Sequence, residues 1–528
     1  MRAETILLPD RVRTLDPERP LAEAVALAGG RVLAVGSRDT VLALRGDATE
    51  VVSLPGACLL PGFHDAHVHL AQYGRELTAV DLQDAPDLGS GLELVAARAQ
   101  RTPAGEWITG SGFALDRWGI GADAGAVLTA AALDAVAPHN PVLLRSQDHH
   151  AGWANAAALA AAGIHRETAD PPRGTIVRAA DGAPSGYLLE HAVDLVTNAV
   201  PTPGREAYAA ALHAAGADLA ARGITTVHHM AYEPPAGWRA IADAASSDGY
   251  QLRVWACIPH ADLECAAAIG IATGQGGARF TVGGAKFFAD GALGSRTALM
   301  LAPYEGTTER GLAVEPFEVL CERFRLAAAA GLTPVTHAIG DAAVRTVLEA
   351  LEATAEAWRP AGLLPRIEHV QHVHADDVAR LGRLGVVASM QPIHLRFDAG
   401  SVARWLGDRR ERAFPMRSLS AAGALLAFGS DAPVARPNVF EGLRAAVRRR
   451  GVDGTVLPMG EALDAEAALE AFTHGAARAI GWGHRSGRVR RGYDADLVAL
   501  DHDPVDDLDD LQVLATLSAG RFTYRRDT

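Results

Sequence analysis

Eight short apolar runs alternate with Ala-rich stretches of helical character between residues 59 and 429, and this alternation constrains the fold more than any other feature of the chain. Strand-like runs separated by helices mark successive βα units, which build parallel sheets. The runs lie near Leu59 to Phe63, Ile224 to His228, Leu252 to Cys257, Thr281 to Phe288, Thr333 to His337, Arg366 to Val370, Val386 to Met390 and Leu425 to Gly429. Helices fit most of the gaps, for example DAAVRTVLEALEATAEAW after the fifth run and ADDVARLGRLG after the sixth. The gap between the first two runs is too long for one crossover, so residues 82–200 are expected to form an insertion that overhangs one face of the barrel.

The flanks differ from the middle. AVALAGGRVLAVG and VVSLPGACLLPGF alternate apolar runs with turn residues, and Gly29-Gly30 suits a hairpin turn. SGRVRRGYDADLVALDHDP and RFTYRRD near the other end have the same character, so both ends are expected to pair into one small sheet domain of residues 1–57 and 486–528. A chain of 528 residues exceeds one compact core, which stops growing at roughly 250–300 residues, so two folded units are expected. Hydrophobic residues at 49% and charged residues at 21% are ordinary for a globular protein, and disorder is not expected to dominate.

The net charge of -14 argues against a nucleic-acid partner, because non-specific affinity for phosphate comes from Lys and Arg. The run Arg448, Arg449, Arg450 is expected to be a solvated helix end. The start MRAETILLPDRV has no apolar core of a signal peptide, and no stretch of about 20 apolar residues follows, so a cytoplasmic protein without a membrane span is expected. Cys58, Cys257, Cys265 and Cys321 lack CxxC spacing; each is expected to be a small buried hydrophobe.

In GFHDAHVHL, His67 and His69 are two apart, so on a strand they share a face and can reach one ion together. With 20 histidines in the chain, chance supplies roughly one such pair, and a second occurs at His372 and His374. The position of the first pair sets it apart: it follows CLLPGF at a strand's C-terminal end, where barrel enzymes build their sites. Lys286 in GGAKFFADGALGSR, His337 in PVTHAIGD, His369 in RIEHVQ and Asp431 in AFGSDAPV lie at the ends of later runs. A lone strand His is usually a hydrogen-bonded core residue and a lone Asp after a strand is usually a helix cap. Five strands offering polar groups on one rim favour a site. Lys286, on an apolar strand, calls for a partner or a modification, since a buried ammonium is costly. Carbamylation would make it an anionic ligand able to bridge two metals.

Taken together, PGFHDAHVHL, LRSQDHHAGWANAAAL, RGITTVHHM, KFFADGALGSRTA, VTHAIGDAAV, RIEHVQ, ASMQPIH and LAFGSDAPV resemble the YtcJ-like branch of the amidohydrolase superfamily (amidohydrolase family 3), which includes N-substituted formamide deformylases. The resemblance covers nearly the whole chain. It implies a (β/α)8 TIM barrel over residues 58–485 and a small β-sandwich formed by both chain ends. It also implies metal ligands at His67, His69, Lys286, His337, His369 and Asp431, in the manner of a binuclear centre; one or two ions remain open. Zinc is the first expectation.

Such an ion lowers the pKa of water toward about 7 and polarises a carbonyl. Asp431 would then act as general acid/base in hydrolysis of a non-peptide C–N bond of amide type. Further candidates for substrate contact are Asp148, His149 and Trp153, with His150 and Asn155 beside them, then His228 and His229, Arg296 and His394. For each, capping, packing or a local ion pair is the competing reading. A mononuclear deaminase on the same barrel would need a Glu three residues after His337, where Gly340 stands. A non-catalytic binding or regulatory protein would be expected to lose its ligand set, and all six positions keep ligand-type residues. The expected partner is a small amide-type molecule, with a homodimer left open.

Overall fold

The computed structural model describes residues 2–526 except 116, 121–122, 147–150 and 173. It forms two compact units, one of residues 1–70 with 215–528 and one of residues 71–214.

Eight parallel strands in the larger unit make a TIM barrel: β1 (Phe63–Val68), β2 (Ile224–His229), β3 (Arg253–Pro259), β4 (Phe280–Phe288), β5 (Pro334–Ala338), β6 (Arg366–His369), β7 (Val387–Met390) and β8 (Leu425–Phe428). Each strand pairs with the next in chain order. The ring closes beyond the last strand, where Val68 bridges to Ala432, the Asp431 amide donates to the His67 carbonyl at 2.7 Å, and the His69 amide donates to the Ala432 carbonyl at 2.8 Å. Period-two alternation sorts the side chains of β4: Phe287 packs outward on Phe324 of the helix Phe317–Ala329, which leaves Lys286 and Phe288 on the inner face.

Seven of the eight expected runs match barrel strands to within two residues; the first does not. Leu59 and Leu60 belong to a strand Glu50–Pro61 that pairs with Leu497–Leu500, through Leu59 with Ala499 and Leu60 with Val498. The chain leaves that sheet at Gly62 and enters β1 at Phe63, so one apolar run serves two sheets. Gly62 marks the crossing because a Cβ there would lie 2.4 Å from the Thr225 methyl of β2.

Both chain ends share one sheet, ordered Arg521–Arg525, Val513–Ser518, Leu497–Leu500, Glu50–Pro61, Thr5–Arg13, Ala24–Ala28, Arg31–Gly36, with Leu21–Ala22 paired to Thr5–Arg13. The hairpin at Gly29-Gly30 has φ of 57° and 71°, the left-handed pair that a tight two-residue turn requires. Arg253 of β3 reaches Asp496 beside this sheet, its Nε donating at 2.6 Å, and fastens it to the barrel. Two expectations are corrected. Cys265 is exposed, on the short helix Leu263–Ala268, while the other three cysteines are buried. Arg449 is not solvated: it ends the helix Val439–Arg448 in a left-handed conformation, is fully buried, and donates to the carbonyls of Phe414 and Ala413 at 2.9 and 2.7 Å.

The unit of residues 71–214 has a six-stranded sheet ordered Gly174–Arg178, Pro184–Glu190, Ala151–Ala154, Val142–Ser146, Ile108–Phe113, Val80–Asp81. Leu82, Val95, Phe113, Leu144 and Trp153 form its core.

Candidate metal centre

Imidazoles and a carboxylate meet at the C-terminal ends of the barrel strands. His67 and His69 leave the end of β1 on one face, as their spacing requires, and Asp431 follows β8. Asp431 Oδ1 lies 3.3 Å from His67 Nε2 and 3.2 Å from His69 Nε2, and its Oδ2 lies 3.7 Å from His394 Nε2. His369 joins through its ring, 4.8 Å from that of His67 and 4.5 Å from that of His337. Three of the residues here owe their direction to backbone that few side chains adopt: His369, Val370 and Asp431 have φ of 74°, 46° and 62°. At β6 this breaks the alternation, so that the neighbours Glu368 and His369 both turn toward His67.

The tautomers can be read from the partners. His67 Nδ1 faces Glu368 Oε2 at 2.7 Å, and an ionised carboxylate only accepts, so that nitrogen carries the proton. His69 Nδ1 likewise donates to the Met230 carbonyl at 2.9 Å. Both Nε2 lone pairs therefore point at Asp431 Oδ1, a buried atom with no hydrogen-bond partner among the described residues. Three electron-rich atoms facing one another without a proton between them are a cation site. His67, His69 and Asp431 could hold one ion, and His369 and His394 also come within reach of Asp431. Burial opposes the charge of Asp431, and only positive charge at the rings of His67, His69, His369 or His394 holds its carboxyl well below the usual range. Burial holds the His67 ring down at about 4, against the pull of Asp431 and Glu368. The donor set fits a divalent metal.

Lys286 is also brought in. Its Nζ is buried, has no hydrogen-bond partner among the described residues, and stands 4.7 Å over the Phe288 ring. Burial lowers its pKa, with Glu368 pulling the other way. His337 lies beside it on β5, its Nε2 at 3.0 Å from the Gly291 carbonyl and 3.4 Å from Asp290, which leaves Nδ1 as the lone-pair nitrogen. Asp290 anchors this corner, accepting from the amides of Ile339, Gly340 and Leu299 at 3.0, 2.8 and 2.8 Å. The loop it pins fills the space beside Gly340, where a Cβ would sit 2.0 Å from the Leu299 carbonyl oxygen.

The other candidates fall differently. His394 reaches the site. His228 is fully buried inside the barrel, accepting from Arg366 at 2.9 Å, and does not join the His67 group. His229 lies 3.0 Å from Glu233 and accepts from the Leu70 amide. Arg296 pairs with Glu309 at 3.3 Å and stacks on Trp405. Trp153 lies in the core of the other unit with its indole donating to the Thr129 carbonyl, and Asn155 caps the helix Ala156–Ala161, so packing and capping account for both. Asp148, His149 and His150 lie outside the described residues. Of the second HxH pair, His372 is buried against Phe414, its ring nitrogens without a hydrogen-bond partner among the described residues, and His374 caps the helix Ala375–Leu384.

Sequence reasoning missed Glu368, Arg366, Asp290 and Asp65. Asp65 accepts from the Ser430 amide at 2.9 Å and its hydroxyl at 2.5 Å, stitching β1 to the end of β8; burial raises its carboxyl to about 6. A signal was available for two of them, since Arg366 and Glu368 stand two apart on a strand and so place opposite charges on one face.

Fold and donor set together define a metal-binding (β/α)8 barrel. The chain belongs to the amidohydrolase family, whose model matches residues 50–524. It is 34% identical to Protein LONG AFTER FAR-RED 3 of Arabidopsis thaliana over 99% of this chain and 92% of that protein. It is 30% identical to N-substituted formamide deformylase of Arthrobacter pascens, over 99% of this chain and 98% of that one. A crystal structure of an uncharacterized metal-dependent hydrolase from Pyrococcus furiosus superposes with a TM-score of 0.80 at 26% identity, covering 95% of this chain and 99% of the other. No helix among the described residues is long and apolar enough to cross a membrane.

Proposed function

We propose that this protein is a metal-dependent hydrolase of a non-peptide, amide-type C–N bond, with Asp431 as its general acid/base. The convergence of His67 Nε2, His69 Nε2 and Asp431 Oδ1, all as acceptors, carries the reading. His67, His69, Asp431, His337, His369 and a carbamylated Lys286 would hold zinc, as one ion or two. When bound, the ion acidifies water and polarises a carbonyl.

The chain's own groups do the rest. Asp431 Oδ1 is held between two rings while Oδ2 faces His394, so one oxygen can hold the ion while the other takes a proton from water and returns it to the departing nitrogen. His394 Nδ1 faces the Gln371 amide nitrogen at 3.4 Å, and that nitrogen also bonds Asp398 at 3.3 Å. An amide nitrogen only donates, so the His394 proton sits on Nε2, toward Asp431 and the substrate side. His394 then serves as a donor to substrate oxygen.

Deamination is disfavoured by Gly340: a proton-shuttling Glu at that position would drive its Cβ into the Leu299 carbonyl. The similarity to N-substituted formamide deformylase supports the amide reading. Metal analysis of the purified protein, joined to a screen of N-formyl, N-acyl and cyclic amides, tests it. Stoichiometric zinc with turnover of at least one class is expected; a metal-replete protein inert toward all of them would overturn it.

A further inference from the structure

Behind the metal centre a buried Arg collects five hydrogen bonds. Arg366 on β6 is fully buried, and its Nε donates to Glu368 Oε1 at 2.9 Å. One terminal nitrogen donates to His228 Nδ1 at 2.9 Å; the other donates to the Ala66 carbonyl at 2.8 Å, Ser389 Oγ at 2.9 Å and Glu368 Oε2 at 3.3 Å. The guanidinium lies 5.1 Å from the centre of the Trp255 ring. It thereby joins five strands, β1, β2, β3, β6 and β7.

We propose that Arg366 and Glu368 are positioning residues that fix the tautomer and direction of His67, and so set the affinity of the site for zinc. The inference rests on the metal-dependent reading above. A guanidinium can only donate. Its two contacts to Glu368 oblige both carboxylate oxygens to accept, and the only proton that can then lie between Glu368 and His67 belongs to His67 Nδ1. His67 Nε2 is left as a lone pair aimed at Asp431 before any ion arrives. The bond to Ala66 holds the backbone one residue from His67, so ring and strand are fixed from the same hub. On the other side the same logic orders a relay. His228 accepts at Nδ1, donates from Nε2 to His64 Nδ1 at 3.4 Å, and His64 donates from Nε2 to Ser486 Oγ at 3.0 Å. The protons of both histidines in this relay are fixed while Arg366 is in place.

Glu368→Gln keeps the shape and removes the logic. One of its two terminal atoms becomes a donor, and that donor must face either Arg366 Nε or His67 Nδ1–H; relief comes by moving the His67 proton to Nε2, which then cannot bind metal. Arg366→Lys, the second variant should the first not fold, keeps the charge but cannot span Glu368, His228, Ala66 and Ser389 at once. The measurement is zinc affinity of metal-stripped protein, by competition with a chromophoric chelator, beside the urea midpoint of the same metal-free samples. Folded variants are expected to bind zinc about 10- to 100-fold more weakly than the parent, the range for losing a partner of a ligating His. A role in packing alone would shift the urea midpoint and leave zinc affinity at the parent's value, and that result overturns the proposal while sparing the metal reading. A parent that binds no zinc overturns both.

Discussion

The backbone amide of Asp431 donates to the carbonyl of His67 at 2.7 Å, so two residues that help close the barrel also meet through their side chains in the metal centre. Closure of the ring and geometry of the site are therefore one arrangement, and a change in either should register in the other.

The first expectation follows directly. Stripping the metal with a chelator should lower the thermal midpoint and zinc should restore it, since a ligand bound only by the folded state at 100 times its Kd adds about 2.7 kcal/mol. His67→Ala should lose both zinc and this response. A midpoint indifferent to zinc would separate closure from metal.

Asp431→Asn should abolish turnover while largely keeping fold and zinc. The amide preserves size and a coordinating oxygen but cannot accept and return a proton. A loss near the upper end of about 100- to 10,000-fold is expected on a responsive substrate. Activity within about tenfold of the parent would take the proton role away from Asp431 and pass it to His394.

Lys286 should prove carbamylated in the metal-loaded protein. Its amine is buried without a hydrogen-bond partner among the described residues, over the Phe288 ring and next to groups that would hold a cation, a poor place for an ammonium. Protein loaded in 13C-bicarbonate should show a carbamate carbon signal that Lys286→Ala lacks. A bare amine with two ions bound counts against the bridge.

Gly340→Ala should destabilise the barrel by about 1–3 kcal/mol, the range for forcing a methyl into filled space. The obstacle is the Leu299 carbonyl, held through Asp290, and backbone yields less readily than a side chain. The urea midpoint measures the loss. Lower zinc occupancy should accompany it if Asp290 and the 290s loop orient His337.

Acid should weaken the join between β3 and the end sheet. Burial opposes ionisation of Asp496, but Arg253 and the Ala519 amide outweigh it and hold the carboxyl below its usual range. A depressed carboxylate stabilises the fold above its unfolded pKa of about 3.9, and that contribution is lost as pH falls through the lower folded value. Asp496→Asn should be less stable than the parent at neutral pH, and the gap should narrow on acidification below about pH 4. Parallel stability curves for parent and variant would exclude this source.

Much of this architecture was legible because barrel strands carry their own punctuation. Seven strands were bounded by Gly, Asp or Ala-rich helix, and each site residue on them stood out as a polar group ending an apolar run. The first strand misled because Cys58 to Phe63 has no polar break, and hydrophobicity cannot report that Gly62 passes the chain from one sheet to another. The six ligand candidates could be named from residue type and position. The network behind them could not: His369 turns toward His67 beside Glu368 only because its own φ is positive, and Arg366 meets His228 only across the closed barrel. Trp153 shows the converse difficulty, since an aromatic beside polar residues looks alike in sequence whether it fills a core, where this one packs, or lines a cleft.

The passage at Gly62 also bears on how the chain is made. Leu60 finds Val498 as its cross-strand neighbour, 498 − 60 = 438 residues later. At about 5–20 residues per second, the ribosome needs on the order of a minute to deliver that partner. Until then the strand Glu50–Pro61 is flanked only by Thr5–Arg13 and leaves an open edge, a template for pairing with the wrong chain. The nascent protein thus carries an aggregation hazard at residues 50–61 for most of its synthesis, and chains arrested on the ribosome before residue 497 should bind chaperones longer than chains arrested after the strand Leu497–Leu500 has emerged.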